Sequence, residues 1–131
     1  MKFVTATATL FAFCVSLGTT VLAHTEAPKT AHGGVMAKVE PLDVELVATP
    51  RKLTLYVMDH GKAVDTKGAT AKLTVLAGTE KVEVALLPAG DNRLEGSGNF
   101  NLANGARVVG VVSVAGHKAV SIRWVLPRAP R

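Results

Sequence analysis

The sequence predicts an all-β fold, an immunoglobulin-like antiparallel β-sandwich of about seven strands, preceded by a signal peptide. Three observations predict it. Apolar residues recur with period two over runs of seven to ten residues, Gly- and Asn-rich joints separate those runs, and no window of helical length carries a 3.6-residue period. Short strands at this spacing with turn signals between them are the pattern of a sandwich, with a small barrel as the alternative.

The chain begins with Met1 and Lys2, followed by the charge-free apolar stretch "FVTATATLFAFCVSLGTTVL" and then "VLA" at 21–23. A short positive start, an apolar middle and small residues at the end predict a secretory signal peptide over 1–23. The competing reading, a single membrane anchor, is weakened by the threonines that interrupt the stretch. Lipid attachment is weaker still, because Cys14 follows the bulky Phe13. Cleavage after Ala23 would remove the only cysteine, so neither a disulfide nor a thiolate is expected in the mature protein. It would also make His24 the first residue.

Residues 24–34, "HTEAPKTAHGG", read as a flexible arm: polar, with Pro28, ending in two glycines. The domain proper is expected over 35–126. "LDVELVAT" (42–49) sets Leu42, Val44 and Leu46 on one face. "KLTLYVM" (52–58) alternates Leu53, Leu55 and Val57 with Lys52, Thr54 and Tyr56. "AKLTVLA" (71–77) and "EKVEVALL" (80–87) continue the pattern. "ARVVGVVSVA" (106–115) is apolar on both faces, as a central strand is, and "AVSIRWVL" (119–126) turns Val120, Ile122 and Trp124 inward. "AGTE" (77–80) and "AGHK" (115–118) each place Gly first in a two-residue hairpin loop. "PAGDN", "EGSGN" and "ANGA" read as further turns. The tail 127–131, "PRAPR", is expected to fray.

Composition narrows the function. The formal net charge is +5, falling by one if Lys2 leaves with the leader. No basic run exceeds two residues. Beyond the leader the aromatics are Tyr56, Phe100 and Trp124 alone, too few for a base-stacking platform, so nucleic acid is not expected as a partner. Ser97, Ser113 and Ser121 lie in a Gly-rich turn or inside strands, with no nucleophile elbow. Glu80 and Glu83 read as a solvated strand face. Catalysis is not expected, and neither is an organic cofactor.

The histidines remain: His24, His32, His60 and His117. Imidazole is the commonest transition-metal ligand where thiolate is lacking. His32 and His60 are each followed by Gly, "HGG" and "DHG", which permits a sharp turn beside the ring. His117 reads as polar surface in a hairpin tip. The expected metal ligands are His24, His32 and His60, joined by Asp59 and Met36, with Glu26 and Met58 as further candidates. The ion is Cu(II) or Zn(II), copper being favoured by an amine beside an imidazole at residue 24.

"HGGVM", the "ELVA" strand, "LYVMDHGKAVDTKGATAKLTVLAG" and "EVALLPAGDNRLEG" together resemble a small extracytoplasmic β-domain. That domain is associated with the periplasmic adaptor subunits of heavy-metal RND efflux systems and with free-standing metal-resistance proteins. The resemblance spans roughly residues 32 to 125. It implies a periplasmic protein that binds or delivers a transition metal near an efflux pump, with the adaptor or another pump component as partner and His32 and His60 in family-like positions. The long helical hairpin and lipoyl-like parts of an adaptor are missing from the sequence, so the chain would not itself bridge pump and channel. Small periplasmic copper-binding sandwiches with a processed N-terminal histidine offer an analogy resting on fold class and His24. The rival expectation is a metal-free interaction module that docks by a strand edge, with 89–105 as recognition loop and Phe100 as its apolar anchor.

Overall fold

The structure is a computed structural model that describes residues 30–128. The expected signal peptide, its cleavage site, His24, Glu26 and residues 129–131 lie outside the described residues. Nine strands follow one another: β1 (Val35–Val39), β2 (Leu42–Ala48), β3 (Lys52–Asp59), β4 (Lys62–Ala63), β5 (Thr70–Ala77), β6 (Glu80–Pro88), β7 (Arg93–Ser97), β8 (Ala106–Ser113) and β9 (Val120–Leu126). Every pairing is antiparallel, in the order β1-β2-β3-β7-β6-β5-β8-β9, with β4 beside β3. The fold is all-β among the described residues.

The strand count differs from the expected seven, and the reasons are local. β1 is a strand that the read of period two did not assign, because "VMAKV" alternates with only one charge. β7 takes up the start of "EGSGN", expected as a turn: Leu94 fills the core while Gly96 lies against the Ala85 carbonyl, where a Cβ would not fit. β4 is a two-residue return after a tight turn.

β6 carries the sheet around its corner. Its first seven residues pair with β5, while Leu87 and Pro88 pair with β7. The two ends of the path, β1 and β9, lie side by side without a backbone ladder among the described residues, so the sheet curls nearly into a barrel. Inside it, the alternating residues of each strand meet. Leu46, Leu55, Leu73, Leu86, Leu94 and Val108 are all fully buried. Each such side chain contributes roughly 1.5–3 kcal/mol on burial. Trp124 on β9 is 1% exposed, and its indole N–H donates to the Val44 carbonyl on β2 at 3.2 Å, tying the last strand to the second across the core.

Two expectations about loops are corrected here. Phe100 is not an exposed anchor: it is 4% exposed and packs beneath Gly98, whose missing side chain makes room for the ring. "AGHK" is not a two-residue loop. Val112 pairs with Val120, and the connection closes as a wider turn in which His117 N–H donates to the Val114 carbonyl at 3.0 Å and Gly116 takes φ +81°. "AGTE" does form the two-residue loop, with Gly78 at φ +60°.

Candidate functional site

Two histidine-centred groups stand at different places on the strand pair β2–β3. The first is built on the outward face. Leu42, Val44 and Leu46 of β2 point inward, so Glu45 belongs to the outward set, yet it is 0% exposed. The segment 32–34 covers it. A buried carboxylate needs donors to replace the water it has lost. Oε2 accepts from the backbone N–H of His32 at 3.1 Å and of Gly34 at 2.8 Å, and Oε1 faces His32 Nδ1 at 3.1 Å.

The "HGG" motif explains itself in this geometry. His32 supplies two of the contacts. Gly33 turns the chain at φ +72°. Gly34 lies so close to the Leu46 carbonyl that no Cβ could be accommodated. The His32 ring also stacks on Tyr56, with centroids 3.5 Å apart and planes 5° from parallel. An ionised carboxylate only accepts, so Nδ1 is the donor toward Glu45 and the neutral imidazole then carries its lone pair on Nε2. His32 is held on two sides, and its side chain remains 41% exposed.

The second group sits at the end of β3. Asp59 pairs with Lys62, leaving His60 and Gly61 as a two-residue loop with φ +48° and +82°. Both values are positive, which marks the mirror-image turn that suits a twisted hairpin. Asp59 Oδ2 lies 3.0 Å from His117 Nε2, and Oδ1 lies 3.6 Å from His60 Nε2. His117 Nδ1 faces the Ala115 carbonyl at 3.3 Å. Both ring nitrogens of His117 therefore meet acceptors. The hydrogen bond to Asp59 above all, with help from Ala115, raises the His117 pKa above its ordinary 6.5, against a small opposing effect of burial.

The expected ligands are thus divided. Met36 pairs in register with Glu45, and Glu45 with Tyr56, so Met36 and His32 share the outward face. His60 and Asp59 belong to the other group. Tyr56 and Asp59 are three residues apart on β3, so they point to opposite faces and stand about 10 Å apart along the strand. His32 and His60 do not meet. Among the described residues, no group of three or more His, Cys, Asp or Glu is arranged to hold a metal ion.

Three participants escaped the sequence reading. Glu45 is not singled out by the alternation of 42–49, and Tyr56 enters only as one of the residues alternating with the inward set of 52–58. His117 looked like polar surface, since its partner is 58 residues away. The signal for Glu45 is its side chain reaching the N–H groups of His32 and Gly34, four and two residues before its register partner Met36, and it is visible only once β1 and β2 are paired. No family model matches the chain, and neither a curated protein nor a solved structure matches it.

Proposed function

We propose that this protein is a non-catalytic, extracytoplasmic domain that binds or delivers a transition metal, working beside a heavy-metal efflux system. One arrangement carries the reading: an exposed imidazole whose Nδ1 is fixed by a buried carboxylate and whose ring is stacked on a tyrosine. Metal-ligating histidines characteristically donate their second ring nitrogen to a carboxylate, which sets the tautomer and aims the other nitrogen outward. His32 has that form, with Glu45 as the orienting group. His24, eight residues upstream, is the natural second nitrogen ligand for Cu(II) or Zn(II). The fold is read as an immunoglobulin-like sandwich, supported by the order β2-β3-β7 on one side and β6-β5-β8-β9 on the other.

The test is calorimetric titration of the protein with Zn(II) and with Cu(II). Wild type is expected to bind one equivalent. His32→Gln, which keeps a donor for Glu45, is expected to weaken binding at least tenfold. Wild type that takes up neither ion, or a variant that binds as tightly as wild type, would sink the reading.

A second reading, a metal-free docking module, draws on the outer face of β5, β6, β8 and β9. Lys81, Leu76, Arg107 and Val125 form one cross-strand row there, and Glu83, Thr74, Val109 and Arg123 the next, with Lys72 beyond. Four cations against one carboxylate suit an acidic partner surface such as an efflux adaptor could offer. A specific metal ligand raises the melting temperature by mass action, whereas this module would show no shift.

A further inference from the structure

Four large apolar side chains stand exposed among the described residues: Leu76, Leu87, Val111 and Val125, the last 63% exposed. All four belong to the outward sets of β5, β6, β8 and β9. The inward sets of those strands fill the core without them, with Val75, Leu86, Val112 and Trp124 buried. No strand covers this face among the described residues.

Cations are set between the apolar residues. Leu76 lies between Lys81 and Arg107 in one cross-strand row, and Val125 follows Arg107. Val111 lies between Lys72 and Ser121 in another, and Arg123 stands between the two rows on β9. None of these four cations forms an ion pair among the described residues, whereas Lys52 and Arg93, on β3 and β7, both turn to Glu95. The carboxylates are elsewhere. Of the nine Asp and Glu residues at 30–128, Glu80 and Glu83 alone lie on β5, β6, β8 or β9, and the other seven lie on β2, β3, β7 and the adjoining loops. Charge divided in this way orients a molecule toward an extended anionic surface.

We infer that the outer face of β5, β6, β8 and β9 docks on an anionic lipid bilayer, with its cations on the headgroup phosphates and its exposed Leu and Val side chains at the glycerol–acyl boundary. The inference does not rest on the metal-binding reading. His32 and Glu45 belong to the opposite wall of the core, so docking leaves them facing away from the lipid.

The pattern of the face favours lipid over protein. Protein interfaces keep charge out of their centre and place it at the rim. Here cations and apolar residues alternate right across the sheet. A bilayer surface accepts that mixture, because phosphates and acyl boundary lie within reach of one plane and long Lys and Arg stems let the charged heads reach the phosphates. A hollow of about 590 Å³, bordered by Lys72, Thr74, Ser121 and Arg123, offers two cations and two hydroxyl donors to one headgroup. A second copy of the chain fits poorly, since the same cations would face one another.

The probe is co-sedimentation with vesicles of phosphatidylglycerol and phosphatidylcholine in equal parts, against vesicles of phosphatidylcholine alone. The protein is expected to bind the first and not the second, and to be released as salt is raised. Arg107→Gln and Arg123→Gln keep most of the stem at exposed positions and leave the fold intact. Each is expected to weaken binding about fivefold, and the pair about thirtyfold. Val111→Thr with Val125→Thr, which leaves the charge unchanged, is expected to weaken it about threefold or more. Lys62→Gln, on β4, is expected to bind as wild type. Equal binding to both vesicles, no binding to either, or an arginine pair that binds as wild type overturns the inference. A valine pair that binds as wild type removes the apolar contact from it. Capture by immobilised polyglutamate without binding to the anionic vesicles would give the face to an acidic protein and also overturn it. None of these outcomes bears on metal uptake at His32, which its own titration decides.

Discussion

His117 shows how a single residue gains a role from its surroundings. Its imidazole bridges the Asp59 carboxylate and the Ala115 carbonyl, and both contacts favour the protonated ring. Its pKa is raised above 6.5 in the folded protein. A raised value means that the contact contributes in full below about 6.5, the unfolded chain's value, and is lost as pH rises through the raised one. The ring is partly exposed, so solvent screens the attraction. The expected outcome is an NMR titration of the His117 ring with a midpoint above 6.5, returning toward 6.5 in Asp59→Asn. A midpoint that ignores the substitution would mean that Asp59 is not the cause. His60, in the same group, holds φ +48°, a region few non-glycine residues enter but where histidine is tolerated. Any ion drawn to this group would compete directly with the Asp59–His117 hydrogen bond.

At the scale of the element, the decisive feature is how β1 is fastened to β2. The ladder from Val35↔Leu46 to Val39↔Leu42 is short, and its first residue follows directly on the "HGG" segment. That segment is pinned by Glu45, so burial of one carboxylate registers the whole strand. Gly34 is the tightest point. In Gly34→Ala the added Cβ would run into the Leu46 carbonyl and crowd Glu45 Oε2. Backbone has to shift to relieve it, and overpacking of this kind costs about 1–3 kcal/mol. Urea unfolding should report a loss in that range, together with weaker stacking of His32 on Tyr56 visible in the tyrosine fluorescence. A loss below about 0.5 kcal/mol would mean that the segment docks elsewhere in solution. The same strand pair was only half legible beforehand. The alternation of "LDVELVAT" and "KLTLYVM" announces β2 and β3 without ambiguity, because every second residue is apolar. β1 and β7 were not legible as strands. β1 is apolar at every position but Lys38 and so shows no alternation, and β7 has Leu94 as its single large apolar residue. What makes each a strand is the neighbour it pairs with.

At the scale of the molecule, Trp124 joins the two ends of the sheet path. It is buried among residues of both halves and hydrogen-bonded to Val44 across the core. Trp124→Ala would open a large cavity and leave the Val44 carbonyl without its indole donor, an expected loss of roughly 3–5 kcal/mol. Chemical denaturation measures it, and a loss under about 0.5 kcal/mol would mean that β9 is registered with its other face inward. For a chain this small, that loss is a large part of the total stability.

The amino-acid sequence by itself determined the all-β class, the positions of β2, β3, β5, β6, β8 and β9, and the inward set that includes Trp124. These follow from period two and from glycine at the joints, both of which are local and act over a few residues. It also marked His32, His60 and Asp59 as chemically interesting. Only the tertiary structure decided which of them meet. Strand order, the turn of β6 from one half to the other, and the covering of Glu45 by "HGG" depend on contacts between residues far apart in the chain. Face parity then did the rest. Tyr56 and Asp59 are three positions apart on one strand, so an odd step sent His32 and the His60–His117 group to different sides. No local pattern in "VMDHGK" could have told the two apart.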